Sequence, residues 1–126
     1  MKLRIAGSSL RLRVSPSDLA RLMESGRIEE TIRFAADADA HFTFALEQSE
    51  AQSDISIRSQ PQGVIVVLPA VAAREWAEGE GVGIYGSVDA AGQKLELRVE
   101  KDFACLDGSD RDNLDTFPNP QKEGAC

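Results

Sequence analysis

The chain lacks most of what marks a specialised class of protein. It has two cysteines in 126 residues, Cys105 and Cys126, and the second is the last residue. A disulfide-stapled secreted fold of this size carries more, so both are expected to be reduced thiols. No apolar run approaches the ~18 residues of a membrane helix. Arg4, Arg11 and Arg13 break up the opening stretch, so no secretory leader is read there either. These absences predict a cytoplasmic protein with no membrane partner. Basic residues are outnumbered, 14 against 21, for a net charge of −7. Phosphate backbones repel such a molecule, so no nucleic-acid partner is expected. Aromatics are scarce at 6%.

The motifs of familiar chemistry are missing too. There is one histidine, His41, and no G-x-S-x-G elbow. Neither phosphate-cradling glycine motif occurs. Gly79–Glu80–Gly81–Val82–Gly83 follows a predicted helix and precedes a strand, the reverse of a phosphate cradle, so it reads as a helix end and a tight turn. His41, Cys105 and Cys126 are too far apart for a spaced zinc motif. Asp110–Asp115 fails the EF-hand pattern, with Leu114 where position 5 needs an oxygen ligand and Gln121 where position 12 needs glutamate. No catalytic residue is assigned, and the cofactor is unknown.

What is present is alternation. Lys2–Ile5 and Leu10–Val14 read as strands joined by a turn at Gly7–Ser9. Ser15, Pro16 and Asp18 form a helix start of the capping-box type. Leu19, Leu22 and Met23 then give one apolar helix stripe, and Gly26 closes it. Ile28–Phe34, Phe42–Leu46 and Ile55–Arg58 alternate as strands. Pro61–Gln62–Gly63 reads as a type II turn with its positive φ at the glycine. Val64–Leu68 is continuously apolar, a strand buried on both faces. A second helix runs from Pro69 to about residue 78, and strands follow over Val82–Val88 and Leu95–Val99, with Ala90–Ala91–Gly92 between them.

The fold class expected is α+β, with about eight mostly antiparallel strands and two short helices. An offset of 54 residues sets Leu10, Leu12 and Val14 on Val64, Val66 and Leu68. It sets Leu19, Leu22 and Met23 on Ala73, Trp76 and Ala77, and Ile28 and Phe34 on Val82 and Val88. Strand–strand–helix–strand–strand thus occurs twice, in halves 1–48 and 54–103, which reads as a pseudo-twofold duplication closing a barrel or stacking layered sheets. The domain is drawn at 1–103, with 104–126 as an acidic, partly docked C-terminal tail.

Charge concentrates on one strand face. Glu96, Arg98, Glu100 and Asp102 lie opposite Leu95, Leu97 and Val99, and Arg11, Arg13, Arg33 and Arg58 sit on similar polar faces. With neighbouring Lys101, this gives the ligand-binding candidates Glu96, Arg98, Glu100, Lys101, Asp102, Arg11 and Arg13. One reading is a solvent-facing ion-pair ladder; the other is a pocket for a charged small ligand. The leading function is a non-enzymatic binding or interaction module for a protein or small charged ligand, with self-association open. The alternative is a metal-dependent hydrolase or binder of a phosphorylated small molecule. Barrel enzymes acting on triphosphates use glutamates for metal and basic residues for phosphate, although no E-x-E-x-K run occurs here. Cys105 is the one thiol near this cluster. Carboxylates beside it would raise its pKa, so it is expected to be a metal ligand at most and a poor nucleophile.

Val99–Glu100–Lys101–Asp102–Phe103–Ala104–Cys105–Leu106, trailed by Phe117–Pro118–Asn119–Pro120, resembles a family of small uncharacterised bacterial proteins, a domain of unknown function. Its E-K-D-F-x-C-L motif is joined by Lys2–Leu3–Arg4–Ile5, Ser9–Leu10–Arg11–Leu12–Arg13, Trp76 and Val82–Gly83–Ile84. The resemblance covers nearly the whole chain. It implies a bacterial cytosolic protein made of this one domain and brings no reaction or cofactor. On physical grounds, Phe103 and Leu106 are expected to pack around Cys105, and Phe117 to dock an extended Phe-Pro-Asn-Pro segment.

Overall fold

Alternating apolar residues build two four-stranded sheets that share one core. In the computed structural model, residues 1–104 and 115–118 are described. The opening hairpin is β1 (Lys2–Ala6) and β2 (Ser9–Val14), followed by α1 (Pro16–Ser25), β3 (Arg27–Arg33) and β4 (His41–Ser49). The second half repeats the order with β5 (Ser56–Gln60), β6 (Gly63–Pro69), α2 (Ala70–Glu78), β7 (Gly83–Ala90) and β8 (Gln93–Lys101). Sheet A runs β1-β2-β8-β7 and sheet B runs β3-β4-β6-β5. Neither sheet closes into a barrel, and the layered arrangement is the one adopted. The four outer pairings are antiparallel, but the central pairing of each sheet, β2 with β8 and β4 with β6, is parallel. Both sheets are therefore mixed, which short-range alternation could not signal.

The two sheets are interchangeable in topology. Exchanging the halves turns one strand order into the other. The hairpin register agrees: Lys2 opposes Arg13 and Leu3 opposes Leu12, as Ser56 opposes Val67 and Ile57 opposes Val66, 54 residues on. The single offset fails later in the chain. Register makes Ile28 equivalent to Ile84 and Ile32 to Val88, while Phe34 falls past the end of its strand. The expected match of Ile28 and Phe34 with Val82 and Val88 is thus corrected by a two-residue slip in the turns.

Leu10, Leu12, Val14, Leu97 and Val99 of sheet A face Ile28, Leu46, Val66 and Leu68 of sheet B, with Leu19, Leu22, Ala73 and Trp76 of the helices sealing one end. α1 starts with a full capping box: Ser15 Oγ accepts from the Asp18 N–H at 3.1 Å, and Asp18 accepts from the Ser15 N–H at 3.2 Å. It ends on Gly26 at φ 80°, which only glycine adopts without strain. The Pro61–Gly63 turn differs from expectation. Positive φ falls on Gln62, and Gly63 is already in the strand, where a Cβ would meet the Thr43 carbonyl oxygen at 2.4 Å. Ala91 and Gly92 both take positive φ in the two-residue turn between β7 and β8, the primed geometry that suits strand twist.

Among the described tail residues, Phe117 docks. Its N–H donates to Asp102 O at 2.8 Å, the Ala104 N–H donates to Phe117 O at 2.7 Å, and the Phe103 and Phe117 rings meet edge to face at 6.1 Å. Phe117, fourteen residues further on, is the partner observed for Phe103. Cys105, Leu106, Asn119, Pro120 and Cys126 lie outside the described residues.

Candidate functional site

The strand pairing of sheet A decides which charged residues meet. Side chains alternate across a strand, and directly paired residues share a face. Leu10, Leu12, Leu97 and Val99 point into the core, so Arg11, Arg13, Glu96, Arg98 and Glu100 all point outward. The edges add Lys2 and Arg4 from β1, and Tyr85, Ser87 and Asp89 from β7. Asp102, just past β8, joins them through Lys2 and Arg13. Six of the seven candidates therefore share one surface. Arg33 and Arg58 are on sheet B and take no part.

Lys101 is the exception. Its parity turns it inward, where it is 6% exposed and donates from Nζ to Gly79 O at 2.9 Å. Gly79 is the C-terminal cap residue of α2, so the ammonium meets the negative end of the helix. The Phe117 ring lies 5.3 Å away on another side. Lys101 ties helix, strand and tail together and is not part of the outer surface.

The outer face has two zones. Toward the helices, carboxylates and cations alternate: Lys2 Nζ is 2.8 Å from Asp102, Arg13 is 3.9 Å from the same carboxylate, and Arg11 is 3.6 Å from Glu100. Tyr85 reaches back over Gly83 and donates its hydroxyl to Glu100 at 2.8 Å. A Cβ on Gly83 would meet the Val99 carbonyl oxygen at 2.4 Å, and would also crowd Glu100 Cγ at 2.9 Å and the Tyr85 hydroxyl at 3.0 Å, so glycine is set there first by the neighbouring backbone. Burial, then the hydrogen bond to Glu100, pushes the Tyr85 hydroxyl up to about 12. This zone is a chain of ion pairs whose carboxylates, Asp102 and Glu100, are mostly buried rather than solvent-facing.

One row along, the pattern breaks. Arg4 opposes Arg11 on one side, and Arg11 opposes Arg98 on the other, three guanidinium groups in line across three strands. Like charges directly opposed are unfavourable. Arg98 has only Glu96 at 3.8 Å, with both side chains half exposed, and Arg4 makes no ion pair among the described residues. The Arg11 Nε is buried without a hydrogen-bond partner. The row lines a depression of about 200 Å³ with Ala6 and Ser9. Arg98 separates it from a wider, shallow depression of about 480 Å³ with Lys94, Ser87 and Tyr85 on its walls.

The matching row of sheet B shows that the fold does not need arginine here. Register makes Arg58, Ile65 and Ala45 the counterparts of Arg4, Arg11 and Arg98. Ile65 and Ala45 are buried with Val67 in a small cluster on that outer face, below the Arg27, Glu47 and Arg58 side chains, which pair with one another.

Arg4 and Tyr85 were not among the sequence candidates. Arg4 alternates with Leu3 and Ile5, a signal that it would share a face with Arg11 across the hairpin. Tyr85 stands between Gly83 and Gly86, a sign of close approach. His41 donates from Nδ1 to Ala38 O at 2.6 Å. Among the described residues no three His, Cys, Asp or Glu side chains gather as metal ligands, and no helix is long and apolar enough to cross a membrane.

A protein-family model described as "Family of unknown function (DUF7009)" matches residues 1–121. No curated protein and no solved structure matches the chain.

Proposed function

The chain belongs to this family of unknown function, DUF7009, and we propose that it is a binding domain rather than an enzyme, taking phosphate-bearing small molecules on the outer face of sheet A. The observation that carries the reading is the Arg4–Arg11–Arg98 row, three guanidinium groups in line across three strands on the wall of one depression. Guanidinium forks match phosphate oxygens two at a time. A phosphate dianion offers enough oxygens for three of them, whereas one carboxylate does not. The adjacent depression has room for the rest of a small molecule, with Lys94 and Ser87 as further donors. Of the carboxylates nearby, Glu96, on the wall of the adjacent depression, is half exposed and 3.8 Å from Arg98, a contact that an incoming phosphate would have to displace, while Glu100 is engaged by Tyr85 and Arg11, and Asp102 by Lys2 and Arg13. That favours binding over metal-dependent hydrolysis.

The correspondence of topology and hairpin register supports an origin by duplication of one β-β-α-β-β unit. In that view one outer face kept an apolar pair, Ile65 and Ala45, while the other acquired Arg11 and Arg98.

Thermal unfolding in low salt with inorganic phosphate or pyrophosphate tests the binding. Either anion should raise the melting temperature, pyrophosphate more, and added salt should erode the shift. Arg4→Ala and Arg98→Ala should abolish the shift. They should leave the melting temperature without ligand unchanged, or raise it by about 1–3 °C, because they relieve like-charge contact. Absence of a shift with both anions, or a shift that both variants retain, would refute the site.

A further inference from the structure

The free edge of sheet B carries a second surface, independent of the arginine row. β3 is an edge strand. Its ladder to β4 is bracketed by the Phe34 N–H donating to Ala40 O at 2.8 Å and the Gln48 N–H donating to Gly26 O at 3.0 Å. Those bonds fix the even-numbered residues of β3 as the ones that bond to β4. Glu29, Thr31 and Arg33 therefore turn their N–H and C=O groups outward, with no backbone partner among the described residues. Proteins usually guard such an edge with charge, proline or a bulge; β3 has no proline and is guarded by charge alone, Arg27, Glu29 and Arg33 on the outer side and Glu30 on the inner side, so a partner strand has to match those charges. The other edges are less open. β5 and β7 lie against each other, with Ile55 close over Gly86. β1 carries only positive charges, Lys2 and Arg4, and would repel a copy of itself.

We propose that β3 pairs antiparallel with β3 of a second copy of this chain, joining two B sheets into one of eight strands. Charge selects the register. Centred on Thr31, the pairing sets Glu29 opposite Arg33 of the second copy, and the twofold axis repeats that contact. Centred on Glu30, it would set Arg27 against Arg33 and Glu30 against Glu30. Centred on Ile32, it would set Arg33 against Thr31 with no opposite charge. All three registers bring outward-turned residues face to face, as backbone bonding requires, so charge alone separates them. Arg33 makes no ion pair within the described residues, so the second copy would supply its partner in Glu29, which would then be shared with Arg27 of its own chain, 3.1 Å away. Ile32 and Phe34, exposed at 53% and 67%, gain cover on the inner side, Phe34 opposite Ile28 and Ile32 opposite the aliphatic stem of Glu30 and diagonal to its own copy across the axis.

Sedimentation equilibrium of the full chain, whose mass is 13.6 kDa, tests this without reference to any anion. The expected species is a dimer of twice that mass. Arg33→Glu and Glu29→Arg should each raise the dissociation constant by about tenfold or more, because each turns two attractions into repulsions. The double swap Glu29→Arg/Arg33→Glu should restore the dimer, which a mere folding defect would not. Thr31→Pro, which removes an outward N–H the β4 ladder does not use, should also give monomer. A monomer at all concentrations up to the solubility limit would overturn the proposal. So would a dimer that survives both single charge changes, or a double swap that stays monomeric.

Discussion

Asp18 does three jobs at one position. It completes the capping box of α1, pairs with the exposed Arg21, and lies 2.8 Å from the Met1 ammonium, which Glu30 also holds at 2.9 Å. Burial alone would push its carboxyl up. The bonds from Met1 and Ser15 outweigh that and hold it at about 2. The folded value lies below the unfolded one of about 3.9, so the carboxylate's contribution is complete above roughly pH 4. It is lost as pH falls toward 2. Solvent at the open side of the cluster screens the pair, which leaves on the order of 1 kcal/mol. Asp18→Asn removes the charge while keeping a helix-start side chain. It should cost about 1 kcal/mol at pH 7, because a buried ammonium loses one of its two carboxylates. Urea unfolding at pH 7 and pH 2.5 checks both statements: the variant should lie well below the parent at pH 7 and close to it at pH 2.5. An equal gap at both pH values would show that the loss is steric rather than ionic.

At the scale of elements, the contact between the sheets is as tight at one glycine as anywhere in the core. A Cβ at Gly86 in β7 would lie 2.3 Å from Ile55 Cγ2, so Gly86→Ala forces the two sheets apart along their β5 and β7 sides. The expected loss is about 2–3 kcal/mol, as for other overpacked sites. Ile55→Ala alone should also destabilise, by leaving a cavity. The two together should cost clearly less than their sum, since the added methyl fills part of the space. Additive losses in a denaturant double-mutant cycle would mean that Gly86 is needed for its backbone instead. The sequence gives Gly86 only as an interruption between Ile84 and Val88, and its role needs a partner from before β5. The elements themselves were legible where a local rule governs them. Ser15–Pro16–Asp18 marked α1, and Leu10, Leu12 and Val14 marked β2. At the Pro61–Gly63 turn a local rule assigns positive φ to the glycine, whereas it falls on Gln62 and the glycine is required because the Thr43 carbonyl of β4 leaves no room for a Cβ. The parallel β2–β8 pairing joins residues more than eighty apart, which no local pattern encodes.

For the whole molecule, the same non-local pairing decides what was legible of the site. Alternation alone put Glu96, Arg98 and Glu100 on one face, and the polar parity of Arg11 and Arg13 was plain. Their meeting depends on β2 lying beside β8, and the exclusion of Lys101 follows from its odd position among core-facing residues. Which charges would be paired and which would stack as Arg4–Arg11–Arg98 was not legible, because register sets it. The topology carries one more consequence. Each sheet takes two strands from each half, and the halves are hydrogen-bonded within the sheets only through β2–β8 and β4–β6. A fragment of residues 1–52 keeps only two separate hairpins and one helix, and two-stranded sheets are marginal in water. Its Leu12, Val14 and Leu46, buried in the full chain, would lose the partners that cover them. Residues 1–52 and 53–126, made separately, should each lack a cooperative thermal transition. Mixed in equal amounts, they should regain the sheet signal in circular dichroism and melt as one unit. Cooperative melting of either fragment alone would show that a half is a folding unit in its own right, and the interleaving of strands would then be a docking of finished parts rather than the step that forms the core.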